Sequence, residues 1–126
     1  MVRFITNLIC TELEASKVFY SDLFGFEVVF DSDWFVNLKD TNSGVELGLL
    51  IEGHAVAPPT LSTTSGGMYL TLVVEAVEPI YERAQAQGYA VLAEPEDTFY
   101  GQRRLLLQAP EGTTVDVSAL IPDFGG

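Results

Sequence analysis

The order of apolar and polar residues predicts a strand, a helix and three more strands in the first part of the chain. Residues 3–10, "RFITNLIC", alternate as a strand with one buried face does. Thr11 opens a T-x-x-E sequence typical of a helix capping box, and Gly25 is a helix stop. Alternating runs then predict strands within 26–31, 34–39 and 44–51. The apolar stripe of the helix is expected at Ala15, Val18, Phe19, Asp22 and Leu23.

The same series returns after a segment of different composition. Residues 53–67 are rich in Pro, Gly, Ser and Thr, which predicts a linker. After the linker, the pattern predicts one strand, a helix that Gly88 ends, and three more strands up to residue 120. The helical face is expected at Val77, Ile80, Tyr81 and Ala84. An internal repeat of this kind indicates two βαβββ modules, 1–52 and 68–120, in one domain spanning 1–126.

Two such modules predict an α+β fold. Each module would form a curved mixed sheet with its helix on the convex face, and the two sheets would enclose a concave trough. Because side chains alternate between the faces of a strand, Glu46 and Asp116 are predicted to face the trough. Matching the Gly44–Glu46 strand to the Gly112–Asp116 strand also predicts that the two acids occupy equivalent positions.

Charge and length limit the kinds of partner. The chain has 126 residues, and 6 Lys and Arg against 18 Asp and Glu give a net charge of -12. Such a chain repels phosphate backbones and anionic membrane surfaces, so we expect neither nucleic acid nor membrane as a partner. A cationic or neutral small molecule fits better. The start lacks the features of a secretory signal, which predicts a cytoplasmic protein.

Two stretches carry a resemblance to a known family. "LEASKVFYSDLFGFEV" in the first module and "YGQRRLLLQAPEGTTVDV" in the second resemble the vicinal oxygen chelate superfamily. That group includes glyoxalase I, extradiol dioxygenases and bleomycin-resistance proteins, and the resemblance covers residues 3 to 120. It implies that a ligand binds in the trough and that the protein is a homodimer.

The resemblance also implies four metal-ligand positions. Carried over, they fall on Ile5, Glu46, Tyr69 and Asp116, so both imidazoles that such sites use are missing. The only histidine, His54, lies in the predicted linker, where we expect it to be exposed to solvent. We therefore expect no resident cofactor. A weak Mg or Mn site on Glu46 and Asp116, with Asn7 as a further oxygen ligand, stays an alternative.

"FYGQRRLLLQAPEG" resembles the bleomycin-resistance branch, whose members sequester a drug without chemistry. The hypothesis is thus a small-molecule binding protein, for a cationic or aromatic, antibiotic-like ligand, and not an enzyme. Arg103 and Arg104 alternate, so one of them should face the trough. One alternative is a metal-dependent lyase, isomerase or dioxygenase, and another is a non-catalytic structural or regulatory module. The predicted ligand-binding residues are Asn7, Trp34, Glu46, Tyr69, Thr71, Tyr100, Arg103 and Asp116.

Overall fold

Each half of the chain forms one four-stranded sheet with one helix. The computed structural model describes residues 3–58 and 68–122. The chain forms two units, Met1–Ser65 and Gly66–Gly126. Two repeated βαβββ modules and an α+β fold are therefore confirmed. The trough, the single-domain organisation and residues 59–67 of the predicted linker stay outside what the described residues test.

The N-terminal unit has the strand order β1-β4-β3-β2. β1 runs parallel to β4, and the other neighbours are antiparallel. α1 packs against β2, β3 and β4. The elements are β1 (Ile5–Cys10), α1 (Leu13–Phe24), β2 (Glu27–Asp31), β3 (Phe35–Lys39) and β4 (Glu46–Ile51).

The C-terminal unit repeats this topology with the order β5-β8-β7-β6. β5 is parallel to β8, and the remaining pairs are antiparallel. α2 packs against β6. The elements are β5 (Leu70–Val73), α2 (Glu78–Gln87), β6 (Ala90–Asp97), β7 (Gln102–Gln108) and β8 (Thr114–Leu120).

The first helix differs from its sequence prediction at its start and in its buried stripe. Its N-cap is Glu12, which makes no side-chain cap hydrogen bond, so the capping box at Thr11 is wrong. The buried positions follow a helical period counted from Leu13, whereas Val18 is 43% exposed. Buried residues of α1 are Leu13, Ser16, Phe19, Tyr20 and Leu23.

The second helix follows its prediction. Val77 and Ala84 are buried, while Ile80 and Tyr81 are half-buried. Both helices end at a glycine with left-handed backbone, Gly25 with φ 73° and Gly88 with φ 76° in the second unit. The predicted helix stops are therefore confirmed.

One face of each sheet forms the core with its helix. In the N-terminal sheet this face holds Val36 and Leu38 on β3 and Leu47 and Leu49 on β4, all at most 3% exposed. In the C-terminal sheet it holds Leu105, Leu107, Val115 and Val117, all fully buried. Because neighbours in a strand alternate, Glu46 and Asp116 lie on the faces opposite these core residues. Among the described residues, no helix is long and apolar enough to cross a membrane.

Candidate functional site

Glu46 is the first residue of β4, and its buried side chain is paired with an arginine. Its neighbours in the sheet are Ile5 on β1 and Lys39 on β3. The residue is only 4% exposed. Arg3 donates from Nε to Oε2 at 2.6 Å and from Nη2 to Oε1 at 2.5 Å. The hydrogen bond from Arg3 is the main cause that lowers the pKa of Glu46, so this carboxylate stays ionised at neutral pH.

The Arg3–Glu46 pair lies at one side of an open depression. Its volume is about 530 Å³, which is within the size range of small-molecule sites. Both charged and apolar groups line it. The lining residues are Arg3, Phe4, Lys39, Ser43, Gly44, Val45 and Glu46.

Asp116 in the C-terminal sheet is held by hydroxyl groups. Thr71, its neighbour on β5, donates to Oδ2 at 3.2 Å, and Ser118 donates to Oδ1 at 2.6 Å. Asp116 is 6% exposed and Ser118 is fully buried. Two neutral donors orient this carboxylate, while its counter-charge comes from Arg104 at 3.4 Å. The structure thus brings the predicted site residues Thr71 and Asp116 together.

Arg104, not Arg103, is the arginine that accompanies Asp116. Arg104 forms an ion pair with Asp116, with 3.4 Å between Nε and Oδ1, a distance that is long for a hydrogen bond. That Nε is buried and has no hydrogen-bond partner within the described part of the chain. Arg103 has the parity of the core residues and donates to Glu78 at 2.7 Å and to Asp97 at 3.0 Å. Glu78 and Asp97 thus hold Arg103 on the face opposite to Asp116, and its predicted role in ligand binding stays a prediction.

The two acids do not occupy equivalent positions in the repeat. In the hairpin before β4, Asp40 N donates to Val45 O, and in the hairpin before β8, Ala109 N donates to Thr113 O. These two hydrogen bonds close the two hairpins in the same way. The residues that directly follow their acceptors, Glu46 and Thr114, are therefore equivalent. Asp116 lies one pleat further along its strand. The predicted equivalence is wrong by two residues.

The counterpart of Asp116 in the first unit is Gly48. Gly48 is the neighbour of Asn7 on β1 and of Asn37 on β3, as Asp116 is the neighbour of Thr71 and Leu106. A Cβ at Gly48 would overlap Asn7 Oδ1 and approach the Phe35 ring to 3.0 Å. The absence of a side chain at Gly48 therefore leaves space for the carboxamide of Asn7. Asn7 itself is exposed.

Aromatic side chains lie in both units. Trp34 stacks on His54 with 4.4 Å between the ring centroids and 16° between the planes, and its ring is 5.7 Å from that of Phe35. His54 is half-buried, so the prediction of a solvent-exposed histidine is wrong. In the C-terminal unit, Tyr69 and Tyr100 are 57% and 49% exposed. Their predicted role in ligand binding stays a prediction.

The residues at the four positions that the resemblance assigns to metal ligands do not fit a transition-metal site. Ile5 has no lone pair to donate, and both oxygens of Glu46 already accept hydrogen bonds from a cation. Two hydroxyls bind Asp116. Within residues 3–58 and 68–122, no group of three or more His, Cys, Asp and Glu side chains could hold a metal ion.

Three residues at these sites were not among the predicted site residues, namely Arg3, Gly48 and Ser118, and Arg104 was one of two alternatives for the trough. Parity alone would have placed Gly48, Arg104 and Ser118 on the same faces as the acids. Arg3 precedes β1, so the alternation of side chains along a strand does not predict its orientation. Its only signal was its rarity, since the chain has just 6 basic residues.

Comparison with known proteins identifies the fold. A glyoxalase-related enzyme from Fulvimarina pelagi is 26% identical, with 94% of this chain and 87% of that chain covered and a TM-score of 0.76. A glyoxalase/bleomycin resistance protein/dioxygenase from Nocardioides is 22% identical, with 98% and 85% covered and a TM-score of 0.73. A glyoxalase/bleomycin resistance protein/dioxygenase family enzyme from Burkholderia phytofirmans PsJN is 19% identical. The match covers 93% of this chain and 97% of that chain, with a TM-score of 0.75. All three proteins share the fold of this chain.

No curated protein sequence matches the chain. The sequence profile of the Glyoxalase/Bleomycin resistance protein/Dioxygenase superfamily, however, matches residues 4–117, which is most of the chain. The topology of both units agrees with this match, since each contains the βαβββ module that the sequence pattern predicted. The chain belongs to the glyoxalase/bleomycin resistance protein/dioxygenase superfamily.

Proposed function

We propose that this protein binds a cationic, aromatic small molecule in the cytoplasm and catalyses no reaction on it. The observation that carries the proposal is the environment of Asp116. A buried carboxylate can accept about four hydrogen bonds. Asp116 accepts two from hydroxyls, and Arg104 forms an ion pair with it at 3.4 Å without a hydrogen bond from Nε. An acceptor for a donor group of a ligand therefore remains.

Two further observations support a cationic, aromatic ligand. The chain carries a net charge of -12, which attracts cations from solution. Tyr69 and Tyr100 expose about half of their surface in the same unit as Asp116, and exposed aromatic rings can stack on flat cations. The chemistry of metal-dependent relatives receives no such support, because an arginine holds Glu46.

Titration with proflavine, a planar tricyclic cation, tests this function. Asp116→Asn removes the charge and keeps the shape, and we expect it to weaken binding by about tenfold or more, as for loss of a buried charged contact. Glu82→Gln is the matched control, since it removes one charge from an exposed position on α2. Equal affinity of the wild type and the Asp116→Asn variant for proflavine would contradict the role of Asp116.

We also propose that the protein is a homodimer. β2 is an edge strand of its sheet and exposes Val28, Val29 and Phe30 by 42%, 50% and 51%. An exposed apolar edge strand is a template for pairing with another chain. Sedimentation equilibrium should give twice the chain mass, and Val29→Lys should shift the equilibrium toward the monomer. A wild-type monomer at all concentrations would refute this proposal.

A further inference from the structure

The Arg3–Glu46 ion pair is unequal in burial. The side chain of Glu46 is 5% exposed, while that of Arg3 is 68% exposed. A buried carboxylate left without its cation is costly, so this position requires a positively charged partner. Glu46 is thus a fixed anionic receptor, and the exposed guanidinium is the part that can be exchanged.

Arg3 can leave without breaking the sheet. β1 begins at Ile5, so no strand pair involves Arg3 or Phe4. Phe4 is 76% exposed and therefore fixes this segment only weakly. Rotation of one exposed side chain removes both hydrogen bonds that Arg3 donates to Glu46, while Asn37 and Lys39 remain near the carboxylate.

The geometry of the pair selects the kind of cation. Arg3 uses two different nitrogens of its planar guanidinium, one for each carboxylate oxygen. A guanidinium or an amidinium can present two such N–H groups side by side, whereas an ammonium acts as a point charge. Beside the pair, the depression of about 530 Å³ offers exposed apolar surface from Phe4 and Val45.

We propose that Arg3 is an internal occupant of a binding site for an aromatic guanidinium or amidinium, and that such a ligand displaces it from Glu46. The ligand's cation takes the two hydrogen bonds that Arg3 makes. Its ring lies in the depression against Phe4 and Val45. The proposal rests on the proposed function and names the ligand class for the N-terminal unit. Arg3 competes with the ligand, so it sets the affinity without contacting it.

Calorimetric titration with three small one-ring probes tests which kind of cation this site binds. Benzamidine has the required amidinium, benzylamine has an ammonium, and benzamide has the same shape as benzamidine without charge. Arg3→Ala removes the internal competitor, and we expect benzamidine to bind this variant about tenfold more tightly than the wild type, since a charge-assisted bidentate pair is regained. Benzylamine should bind more weakly, and benzamide should not bind.

Adding Glu46→Gln to Arg3→Ala should abolish benzamidine binding. Arg3→Gln is the second variant if Arg3→Ala does not fold, and circular dichroism checks each variant. The proposal is overturned if benzamidine binds the wild type and the Arg3 variant equally, if benzylamine binds as tightly as benzamidine, or if the double variant retains binding. If the benzamidine result fails while proflavine binding still depends on Asp116, this inference falls and the proposed function stands.

Discussion

Arg3 donates one hydrogen bond to each carboxylate oxygen of Glu46, at 2.6 Å to Oε2 and 2.5 Å to Oε1. This pair ties the segment before β1 to the first residue of β4. Arg3 is thus the cation that accompanies Glu46, the residue that the resemblance to the superfamily places at a metal-ligand position. A metal ion would have to displace this guanidinium before it could bind the carboxylate.

The first prediction concerns acid stability. A carboxyl group whose pKa is lowered on folding stabilises the protein above its ordinary pKa, and the effect is lost as the pH falls through the folded value. The ordinary value for Glu46 is 4.5, and Arg3 lowers it. Glu46→Gln should therefore reduce the free energy of unfolding most near neutral pH, and its difference from the wild type should shrink as the pH falls below 4.5.

Urea unfolding across the acid range measures this difference. Glu82→Gln changes the charge equally at an exposed helical position and should leave the profile unchanged. A constant difference between the Glu46→Gln variant and the wild type at every pH would contradict the role of Arg3.

The second prediction concerns metal content. After dialysis against Mn, Fe, Ni, Zn and Mg in turn, mass spectrometry of the purified protein should find no stoichiometric metal, because Arg3 holds Glu46 and Ile5 cannot act as a ligand. One metal ion per chain that is lost in the double variant Glu46→Ala/Asp116→Ala would establish an oxygen-rich site and contradict this prediction.

The third prediction concerns the hydroxyls around Asp116. Ser118→Ala and Thr71→Val each remove one hydrogen bond to the carboxylate, at 2.6 Å and 3.2 Å. Each should lower the free energy of unfolding by about 1 kcal/mol. In the double variant the loss should exceed the sum, since the buried charge then keeps only its distant arginine. Additive losses in urea unfolding would show that the two hydroxyls act independently.

The fourth prediction compares the ends of the two helices. Gly25 and Gly88 have φ of 73° and 76°, and a Cβ at either position would meet no atom within 4 Å. Replacement by Ala should therefore cost only backbone strain, about 1–2 kcal/mol at each site. Equal losses of unfolding free energy are expected for the two variants. A loss near zero would indicate that the helix end adapts.

The fifth prediction uses Trp34 as a reporter, because it is the only tryptophan. His54 covers one face of the indole at 4.4 Å, so His54→Ala should shift the emission to longer wavelength and increase quenching by acrylamide. Val56→Ala changes a 65% exposed neighbour and serves as the control. An unchanged spectrum in the His54→Ala variant would show that the stack does not persist in solution.

Alternation was enough to predict the order of strands and helices along the chain and the faces of the strands. The apolar runs place Leu47 and Leu49 toward the helix and Glu46 away from it, and the structure agrees. Burial in a two-sided sheet is a local property of a strand, so a local pattern can predict it. A helix end at glycine is also a local property, because it depends on the left-handed backbone of that one residue. The helix stops at Gly25 and Gly88 were therefore predictable as well.

Features that depend on pairing between segments were not predictable in this way. Gly44 precedes Glu46 by two residues, while Gly112 precedes Asp116 by four, and only the hairpin hydrogen bonds show which residues are equivalent. The choice between Arg103 and Arg104 depended on Glu78 and Asp97, which lie on other elements. The contact of Arg3 with Glu46 joins residues 43 positions apart, with no local signal.

The strand order of each sheet also dictates an order of assembly. β2, β3 and β4 are joined by local hairpins, but β1 pairs with β4, which lies beyond two intervening strands and a helix. Local contacts close with less loss of chain entropy than distant ones. We therefore expect the three-stranded meander to form first in each repeat, and the leading strand to dock last. The amide groups of β1 and β5 would then be the first to exchange with solvent in the native protein.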